Sequence, residues 1–343
     1  MTEAVGLVMS KSDVIAGEDE LIRDYLAPLA AGWPGAFELA EDCAVLTPQA
    51  GEDLVFTTDA IAEGVHFLAD DAPGDIAWKA VAVNVSDLVA KGARPVSYLM
   101  SLAFPEAPTR AWMQGFAAGL AEAQQRFGLV LMGGDTDRRP RAPLSVTIMA
   151  VGRVPSGRML RRSGARPGDV LFVTGSLGDA ALGLQIRRRT RAALAWPLSG
   201  NERDFLARRY LRPELRTGVR DTLLADAAAA MDISDGLAKD LERLCRASTV
   251  SAEVHVERLP LSLPARKVIE ADPEWAEAPL AGGDDYEVLA VVRPESAASF
   301  AAAAQEAGVA VTQIGACGDG ADVTLRRSNG QALQLTKSGY EHF

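Results

Sequence analysis

Apolar side chains recur every three or four residues between positions 78 and 95, which is the spacing of one face of an α-helix. The predicted apolar face carries Trp78, Val81, Val85, Leu88 and Val89. Gly92 is expected to end this helix, and Pro95 would prevent its continuation. The pattern therefore predicts an amphipathic helix that packs against a core and stops near Gly92.

Asp87 breaks this pattern, because it lies between Val85 and Leu88. A carboxylate beside a buried face needs a partner, since desolvating it alone is costly. Lys91, four residues later on the same helix, is one candidate partner. A metal ion is the other, and the helix pattern alone leaves both open.

Segments with strand and helix patterns alternate along the rest of the chain. Apolar, β-prone runs predict strands at 54–58, 96–104, 129–132, 144–151, 169–174, 229–233, 253–256, 288–292 and 309–315, with a strand pair at 39–46. Helical spacing predicts helices at 18–29, 109–125 (with Thr109 as N-cap), from 180, and at 215–228, 237–247 and 297–308. A stretch dense in Gly, Pro, Ser and Arg at 153–168 predicts domains 1–152 and 153–343. The mixture indicates an α+β fold.

Length and charge narrow the class of protein. A chain of 343 residues suits two domains, and 48% apolar residues is ordinary for a globular protein. The formal net charge of −11 argues against a nucleic-acid partner and against binding to an anionic membrane. Phosphate ligands remain compatible with this charge, provided that metal ions mediate the contact.

Cysteine usage and hydropathy predict a cytoplasmic location. Cys43, Cys245 and Cys317 are widely separated and form no CxxC pair, which is typical of a reducing compartment. The first ten residues lack the basic start of a signal peptide. No run approaches the ~20 apolar residues that a membrane span needs.

Acidic residues cluster at the predicted strand ends or next to glycine. The set is Asp42, Asp59, Asp135, Asp232, Asp235 and Asp284. Each alone is typical of a turn or a helix cap. Since strand ends are where such folds place ligands, the six together predict carboxylate ligands for hard divalent cations such as Mg²⁺.

Neighbouring residues extend this candidate site, each with a plainer alternative. Thr57 and Thr58 could supply oxygen ligands to a metal ion. The plainer explanation is that threonine favours β-strands. Gly134, beside Gly133, lets a backbone approach a ligand or forms a tight turn. Ser234 is either a ligand or a helix N-cap, although Asp232 two residues earlier points to the same side.

Several common motifs are missing from the sequence. It contains no GxxxxGK[ST] loop, and its one GxG, at 318–320, lacks the third glycine of a dinucleotide fingerprint. The glycines at 175 and 178 precede a predicted helix, but GxxG alone is a weak phosphate signal and is assigned to a packing turn. His66, His255 and His342 show no paired spacing, so a zinc hydrolase is poorly supported.

Seven blocks of sequence, taken together in this order and spacing, resemble the thiamine-monophosphate kinase family. The blocks are Thr57-Thr58-Asp59 with Gly64-Val65-His66-Phe67, Asn84-Val85-Ser86-Asp87-Leu88 with Gly92-Ala93-Arg94-Pro95, Gly133-Gly134-Asp135-Thr136, Arg162-Ser163-Gly164-Ala165 with Pro167-Gly168-Asp169, Asp232-Ile233-Ser234-Asp235-Gly236-Leu237, Gly282-Gly283-Asp284-Asp285-Tyr286-Glu287, and Gly339-Tyr340. The sequence departs from the family pattern at three places. The usual Gly-Asp-Asp is Ala40-Glu41-Asp42 here, and the usual Gly-Gly-Glu-Asp is Gly282-Gly283-Asp284-Asp285. The usual Gly-Glu-Phe is Gly17-Glu18-Asp19.

The resemblance implies both a fold and a reaction. The fold is the two-domain α+β architecture of aminoimidazole ribonucleotide synthetase, with an N-terminal α/β domain whose sheet joins that of a second subunit and a C-terminal α/β domain. The reaction is the ATP-dependent phosphorylation of thiamine phosphate to thiamine diphosphate by a homodimer, with several Mg²⁺ ions between the phosphates. The nucleophile is already ionised near neutral pH, so no general base is assigned.

The resemblance also implies roles for individual residues. The implied metal ligands are Asp42, Thr57, Thr58, Asp59, Asp87, Asp135, Asp232 and Asp235. The implied ATP contacts are Gly134, Asp135, Arg162 and Ser234. The implied thiamine phosphate contacts are His66, Asp284 and Tyr340. Residue type alone leaves a plainer alternative for two of these residues. Arg162 could equally be an exposed loop arginine, and Tyr340 could equally be an aromatic residue that only packs against the protein.

Two other functions stay open at this point. One is another ATP-dependent synthetase of the superfamily, of the selenophosphate or aminoimidazole ribonucleotide type. The absence of a cysteine before Cys43 disfavours the selenophosphate type. The other is a non-catalytic protein that binds nucleotides or divalent cations.

Overall fold

The computed structural model describes residues 13–340, which fall into two compact units. The first unit holds the described residues up to Gln49 together with Phe56–Asn84 and Pro95–Val151. The second unit holds Ala50–Val55, Val85–Arg94 and the described residues from Gly152 onwards. The division into domains 1–152 and 153–343 stays a prediction.

The first half of the chain forms a four-stranded sheet in the order β1-β4-β2-β3, in which β2 and β3 are parallel. Its helices and strands are α1 (Glu18–Leu21), β1 (Glu52–Ala62), α2 (Pro73–Ala90), β2 (Arg94–Phe104), α3 (Arg110–Phe127), β3 (Val130–Arg138) and β4 (Ser145–Pro155). The predicted helix at 18–29 is α1 followed by a π-helical turn at Ile22–Leu26 and a 3₁₀ turn at Ala27–Ala30.

Helix α2 is the predicted amphipathic helix, with different ends. It begins at Pro73 and ends at Ala90, and Pro95 already belongs to β2. Val81, Val85 and Leu88 are fully buried. Gly92 adopts φ +72°, and a Cβ at this position would collide with the side chain of Leu224. The helix therefore stops where only glycine fits the left-handed backbone.

Helix α3 confirms its predicted cap. The backbone N–H of Trp112 donates to Thr109 Oγ1 at 3.1 Å, which satisfies one of the free donors at the helix start. At the other end Gly128 is left-handed, with φ +74°, and its N–H donates to the carbonyl of Gln124 at 2.8 Å.

The predicted ends of two strands are wrong. Strand β1 continues through Asp59 to Ala62, and β3 continues through Gly134 and Asp135 to Arg138. A Cβ on Gly134 would collide with the carbonyl oxygen of Met100 in β2. The glycine thus permits close strand pairing rather than a turn, and both acids lie inside strands.

The predicted strand pair at 39–46 is also wrong. A 3₁₀ helix covers Pro34–Leu39, and residues 40–46 follow as a loop. Three consecutive residues, Phe37, Glu38 and Leu39, have positive φ, which no strand accommodates. Asp42 is consequently an exposed loop residue.

The second unit contains a six-stranded sheet in the order β10-β7-β9-β5-β8-β6. Its strands are β5 (Val170–Thr174), β6 (Ala227–Ile233), β7 (Ser251–His255), β8 (Glu287–Val292), β9 (Val311–Gly318) and β10 (Val323–Arg326). Strand β5 pairs antiparallel with β8 and β9, β6 with β8, and β7 with β9, whereas β10 is parallel to β7.

The helices of this unit pack their apolar faces against the sheet and one another. They are α4 (Asp179–Arg187), α5 (Arg191–Ala195), α6 (Gly200–Leu211), α7 (Arg220–Asp226), α8 (Leu237–Ser248), α9 (Leu263–Ala271), α10 (Ala278–Ala281) and α11 (Ala297–Glu306). Leu237, Leu241 and Leu244 of α8 share one buried cluster with Leu171 and Leu289 of the sheet.

The mixture of helices and strands confirms the predicted α+β class. The joining of the N-terminal sheet to a second subunit stays a prediction. Within residues 13–340, no helix is long and apolar enough to cross a membrane.

Candidate active site

The second unit gathers charged side chains where β6 turns into α8. Asp232 is the next-to-last residue of β6 and is only 5% exposed. Ser86 Oγ of α2 donates to Asp232 Oδ2 at 2.7 Å. Burial, together with the nearby charge of Asp87, raises the pKa of Asp232 to about 8. A buried carboxylate repelled by a second one is a site that favours a cation.

Lys91, the candidate helical partner of Asp87, also bonds to strand β6. Its Nζ donates to the backbone carbonyl of Ala230 in β6 at 2.7 Å. Burial and the charge of Arg162 lower the pKa of Lys91 to about 8, while Asp232 and Asp87 act in the opposite direction. Lys91 therefore ties the end of α2 to β6, and its charge acts on both carboxylates.

The turn after β6 is fixed by an acid that the sequence reasoning missed. Asp240 Oδ2, fully buried, accepts the backbone N–H groups of Ser234 at 3.0 Å and of Asp235 at 2.9 Å. Gly236, with φ +115°, is the N-cap of α8, so Ser234 is not its cap. An aspartate in the first turn of a helix is a readable signal for this kind of bond.

Asp235 faces two cations on α8. Arg243 Nη2 lies 2.7 Å from Asp235 Oδ2, and Lys239 Nζ lies 3.6 Å away. Lys239 also donates to the carbonyl of Tyr340. These contacts place Asp235 in a mixed-charge cluster on the side of the turn that meets the chain's last described residues.

Two further predicted residues meet this turn, and a third, Arg162, contacts the other end of α8. The N–H of Asp284 donates to the carbonyl of Ser234 at 2.9 Å, and that of Tyr340 donates to the carbonyl of Asp235 at 3.0 Å. Arg162 is exposed, and its carbonyl accepts Ser248 Oγ at 2.9 Å. The fold of the second unit thus brings together residues from four of the seven sequence blocks, those that contain Asp87, Asp232, Asp284 and Tyr340.

The first unit places Asp42, Gly134 and Asp135 along one groove of about 760 Å³. Its rim is acidic, because Glu18 and Glu41 also line it. Its floor carries apolar side chains from Leu99, Met100, Leu131, Met132 and Met149. Within this unit these three residues of the predicted site therefore line the same groove.

Strand β1 carries Thr57, Thr58 and Asp59 in the first unit. Thr58 Oγ1 donates to the carbonyl of Ile148 in β4 at 3.0 Å. The N–H of Asp59 donates to Asn84 Oδ1 at 2.9 Å. Asn84 is fully buried and in turn donates to the carbonyl of Ala80 at 3.0 Å, so it fixes the backbone beside Asp59.

His66 lies in the loop after β1, and a hydrogen bond to its ring identifies which nitrogen carries the proton. Its Nδ1 accepts the N–H of Ala62 at 3.1 Å, so the neutral ring carries its proton on Nε2. Lys79 Nζ donates to the carbonyl of His66 at 2.8 Å and holds the backbone there.

In the part of the chain that the structure describes, no group of three or more His, Cys, Asp or Glu side chains is arranged to hold a metal ion by itself. The pair of Asp87 and buried Asp232 still fits Mg²⁺, because Mg²⁺ is usually held by one or two carboxylates together with waters and substrate phosphates. The donor set thus suits a cation that arrives with a phosphate ligand.

Family models match most of the chain. Residues 40–154 match the AIR synthase related protein, N-terminal domain, and residues 166–328 match the AIR synthase related protein, C-terminal domain. Fold and site together define a protein of the AIR synthase related class.

Individual relatives narrow this class. A thiamine-monophosphate kinase of Caulobacter vibrioides is 40% identical over 95% of this chain and 90% of the relative. The crystal structure of thiamine-monophosphate kinase from Stenotrophomonas maltophilia K279a is 36% identical, with a TM-score of 0.77 over 86% of this chain and 91% of that chain. The structure of AaThiL complexed with AMPPCP and TMP is 31% identical, with a TM-score of 0.75 over 87% and 89%. The chain belongs to the thiamine-monophosphate kinase family, which confirms the resemblance found in its motifs.

Proposed function

We propose that this protein transfers the γ-phosphoryl group of ATP to thiamine phosphate and so forms thiamine diphosphate. The observation that carries the proposal is the buried Asp232 beside Asp87, in a fold whose relative AaThiL is complexed with AMPPCP and TMP. Two anionic substrates need cations between them, and this pair of carboxylates attracts cations.

Mg²⁺ is the cation that we assign to the reaction. Its proposed protein ligands are Asp42, Thr57, Thr58, Asp59, Asp87, Asp135, Asp232 and Asp235. When bound, Mg²⁺ neutralises phosphate charge and supports in-line phosphoryl transfer. Each unit by itself presents oxygen donors that such an ion prefers. In the first unit they line the acidic groove, and in the second they are the Asp87–Asp232 pair.

The side chains of the chain itself bind and orient the substrates. Gly134, Asp135, Arg162 and Ser234 are the proposed ATP contacts. Arg162 is exposed, so its planar guanidinium is accessible to donate two parallel N–H bonds to phosphate oxygens. Ser234 is held by the bond from its N–H to Asp240, which fixes its place in the turn.

Thiamine phosphate is proposed to contact His66, Asp284 and Tyr340. Tyr340 is 45% exposed, and its backbone is tied to Asp235. An aromatic ring held in this way suits stacking on a heteroaromatic ring. The phosphate group of thiamine phosphate loses its second proton at about pH 6. It therefore attacks as an anion, and no side chain needs to remove a proton from it.

We also propose a cytoplasmic homodimer. Strand β1 forms an edge of the four-stranded sheet, and Phe56 on that strand is 59% exposed. An edge strand with an exposed aromatic residue favours pairing with a second copy. Cys43, Cys245 and Cys317 are free thiols, which supports a reducing compartment.

The test is incubation with ATP, MgCl₂ and thiamine phosphate, with thiamine diphosphate measured by chromatography. We expect product with thiamine phosphate and none with unphosphorylated thiamine, because the acceptor is a phosphate oxygen. The Asp204→Asn variant, changed at an exposed residue of α6, is the activity control. Absence of thiamine diphosphate at saturating substrates would contradict the proposal.

A further inference from the structure

The adjacent acids Asp284 and Asp285 have different environments. Asp284 is half-buried, and its Oδ1 accepts the hydroxyl of Tyr286 at 3.1 Å. Asp285 is only 1% exposed, and its carboxylate accepts the N–H of Gly178 at 2.7 Å and that of Ala180 at 3.4 Å. One acid is therefore accessible and the other is an internal acceptor.

The carboxyl group of Asp285 lies at the N-terminus of helix α4 and accepts backbone N–H groups there. Gly178, the N-cap of that helix, has φ +84° and supplies no side-chain cap. The carboxylate of Asp285 takes the place of the cap and lies where the helix dipole favours a negative charge. The glycines at 175 and 178 consequently form a turn, and the carboxyl oxygens of Asp285 already occupy the helix N-terminus that follows it.

The segment 282–286 has a backbone that needs support. Asp284 has φ +68° and Tyr286 has φ +51°, both in the left-handed region that side chains disfavour. Two backbone bonds to the end of β6 hold it, from Asp284 N–H to Ser234 O at 2.9 Å and from Tyr286 N–H to Ile233 O at 2.8 Å. Residues in such conformations persist only where their surroundings hold them.

The next residue, Glu287, anchors the other end of the segment. Arg209 Nη2 lies 2.9 Å from Glu287 Oε1, and Arg216 donates from two nitrogens to the same carboxylate. Thr174 Oγ1 donates to Glu287 Oε2 at 2.6 Å. Between this anchor and β6, the side chain of Asp285 bonds the middle of the segment to the start of α4.

We propose that Asp285 is a positioning residue that, by capping α4, holds segment 282–286 in the strained conformation from which Asp284 contacts thiamine phosphate. The proposal rests on the proposed function for its substrate. Asp285 itself, buried against α4, touches neither ATP nor thiamine phosphate. Its removal changes how Asp284 is presented and leaves the nucleotide contacts in place.

The test compares Asp285→Asn with the wild-type protein. The amide variant keeps the shape, and its one oxygen can accept from only one of the two N–H groups. Its NH₂ group then faces the other N–H, so the variant loses one of the two bonds to the start of α4. We expect the backbone amides of 282–287 to exchange with deuterium about 10-fold faster, because their protection depends on the local opening of this segment. We also expect KM for thiamine phosphate to rise about 10-fold, with KM for ATP unchanged.

Asp169→Asn is the matched control. Asp169 is also buried, at 2% exposed, and also accepts a backbone N–H, from Arg166 at 2.7 Å. Its carboxylate is paired with Arg293, which lies outside segment 282–286. The control is expected to lower the melting temperature without changing exchange at 282–287 or either KM. Asp285→Ser, which keeps one acceptor oxygen, is the second variant if the asparagine variant does not fold.

Unchanged exchange at 282–287 in the Asp285 variant would overturn the proposal. Equal increases of KM for both substrates, or the same effects in Asp169→Asn, would overturn it too. A wild-type protein that makes no thiamine diphosphate would refute the proposed function alone, because the exchange rates still decide whether Asp285 holds the segment.

Discussion

Replacing Asp232 by asparagine should stabilise the metal-free protein while it removes activity. The ionised carboxylate of Asp232 is 5% exposed and lies near Asp87, so ionisation is opposed by burial and by repulsion. Asparagine has the same shape, carries no charge, and still accepts the hydrogen bond from Ser86. The variant therefore removes the electrostatic cost and keeps the packing.

The magnitude follows from the pKa. Burial and the repulsion from Asp87 together raise the pKa of Asp232 from 3.8 to about 8 in the folded protein. Because the folded pKa is above the unfolded one, the stability associated with the protonated carboxyl is complete below the unfolded pKa and is lost as pH rises through the folded pKa. A shift of this size corresponds to about 6 kcal/mol of unfolding free energy.

The assay is thermal denaturation in EDTA at pH 4 to 9 for the wild type, Asp232→Asn and the exposed control Asp204→Asn. We expect wild type and Asp232→Asn to differ little at pH 4, and Asp232→Asn to melt about 10 °C higher at pH 9. Mg²⁺ with ATP should raise the melting temperature of the wild type and have little effect on Asp232→Asn. An Asp232→Asn variant with the pH dependence of the wild type, or one that is less stable at pH 9, would refute the reasoning.

Three further predictions concern the helices. Asp87→Asn should lower turnover at least ~100-fold with a melting temperature close to that of the wild type, because a proposed metal ligand is lost; a near-normal rate would show that Asp87 has only a structural role. Thr109→Ala should cost about 1 kcal/mol in urea denaturation, since it removes the cap of α3; an unchanged midpoint would contradict this. Gly92→Ala should cost about 2 kcal/mol or more, because its φ of +72° and the contact with Leu224 leave no room for a methyl group; a variant as stable as the wild type would refute the steric argument.

The sequence predicted elements well where a single periodicity dominated. Helices α2 and α3 follow from apolar spacing and from caps that lie within a few residues, at Thr109 and Gly92. The ends of β1 and β3 were misjudged because Gly and Asp normally mark turns. In this fold Gly134 and Asp135 lie inside a strand because Gly134 packs closely against Met100 of the neighbouring strand. The spacing of residues along the chain does not reveal that contact.

Four helices of the second unit, α5, α6, α9 and α10, were not predicted. Helices α5 and α10 are only five and four residues long, too short to show a period. In α6 and α9, charged residues interrupt the apolar spacing. The capping box of α6, formed by Ser199 and Glu202, was nevertheless readable from the sequence. Ser262, the N-cap of α9, gave a similar signal.

The resemblance to a family suggested the residues of the candidate site, but not their partners. Ser86 and Asp232 are 146 residues apart, and Lys91 reaches a carbonyl 139 residues away. Asp240 supports the turn through two backbone N–H groups. Such contacts depend on how β6, α2 and α8 pack, so spacing along the chain cannot reveal them.

The most direct measurement follows the transferred phosphoryl group itself. The protein is incubated with Mg²⁺, thiamine phosphate and ATP labelled with ³²P at the γ-position, and the products are separated by chromatography. The account predicts that the label appears in thiamine diphosphate, on its terminal phosphate, only when thiamine phosphate is present, and that EDTA prevents the transfer. Label that stays in ATP, or that appears only as inorganic phosphate, would contradict it.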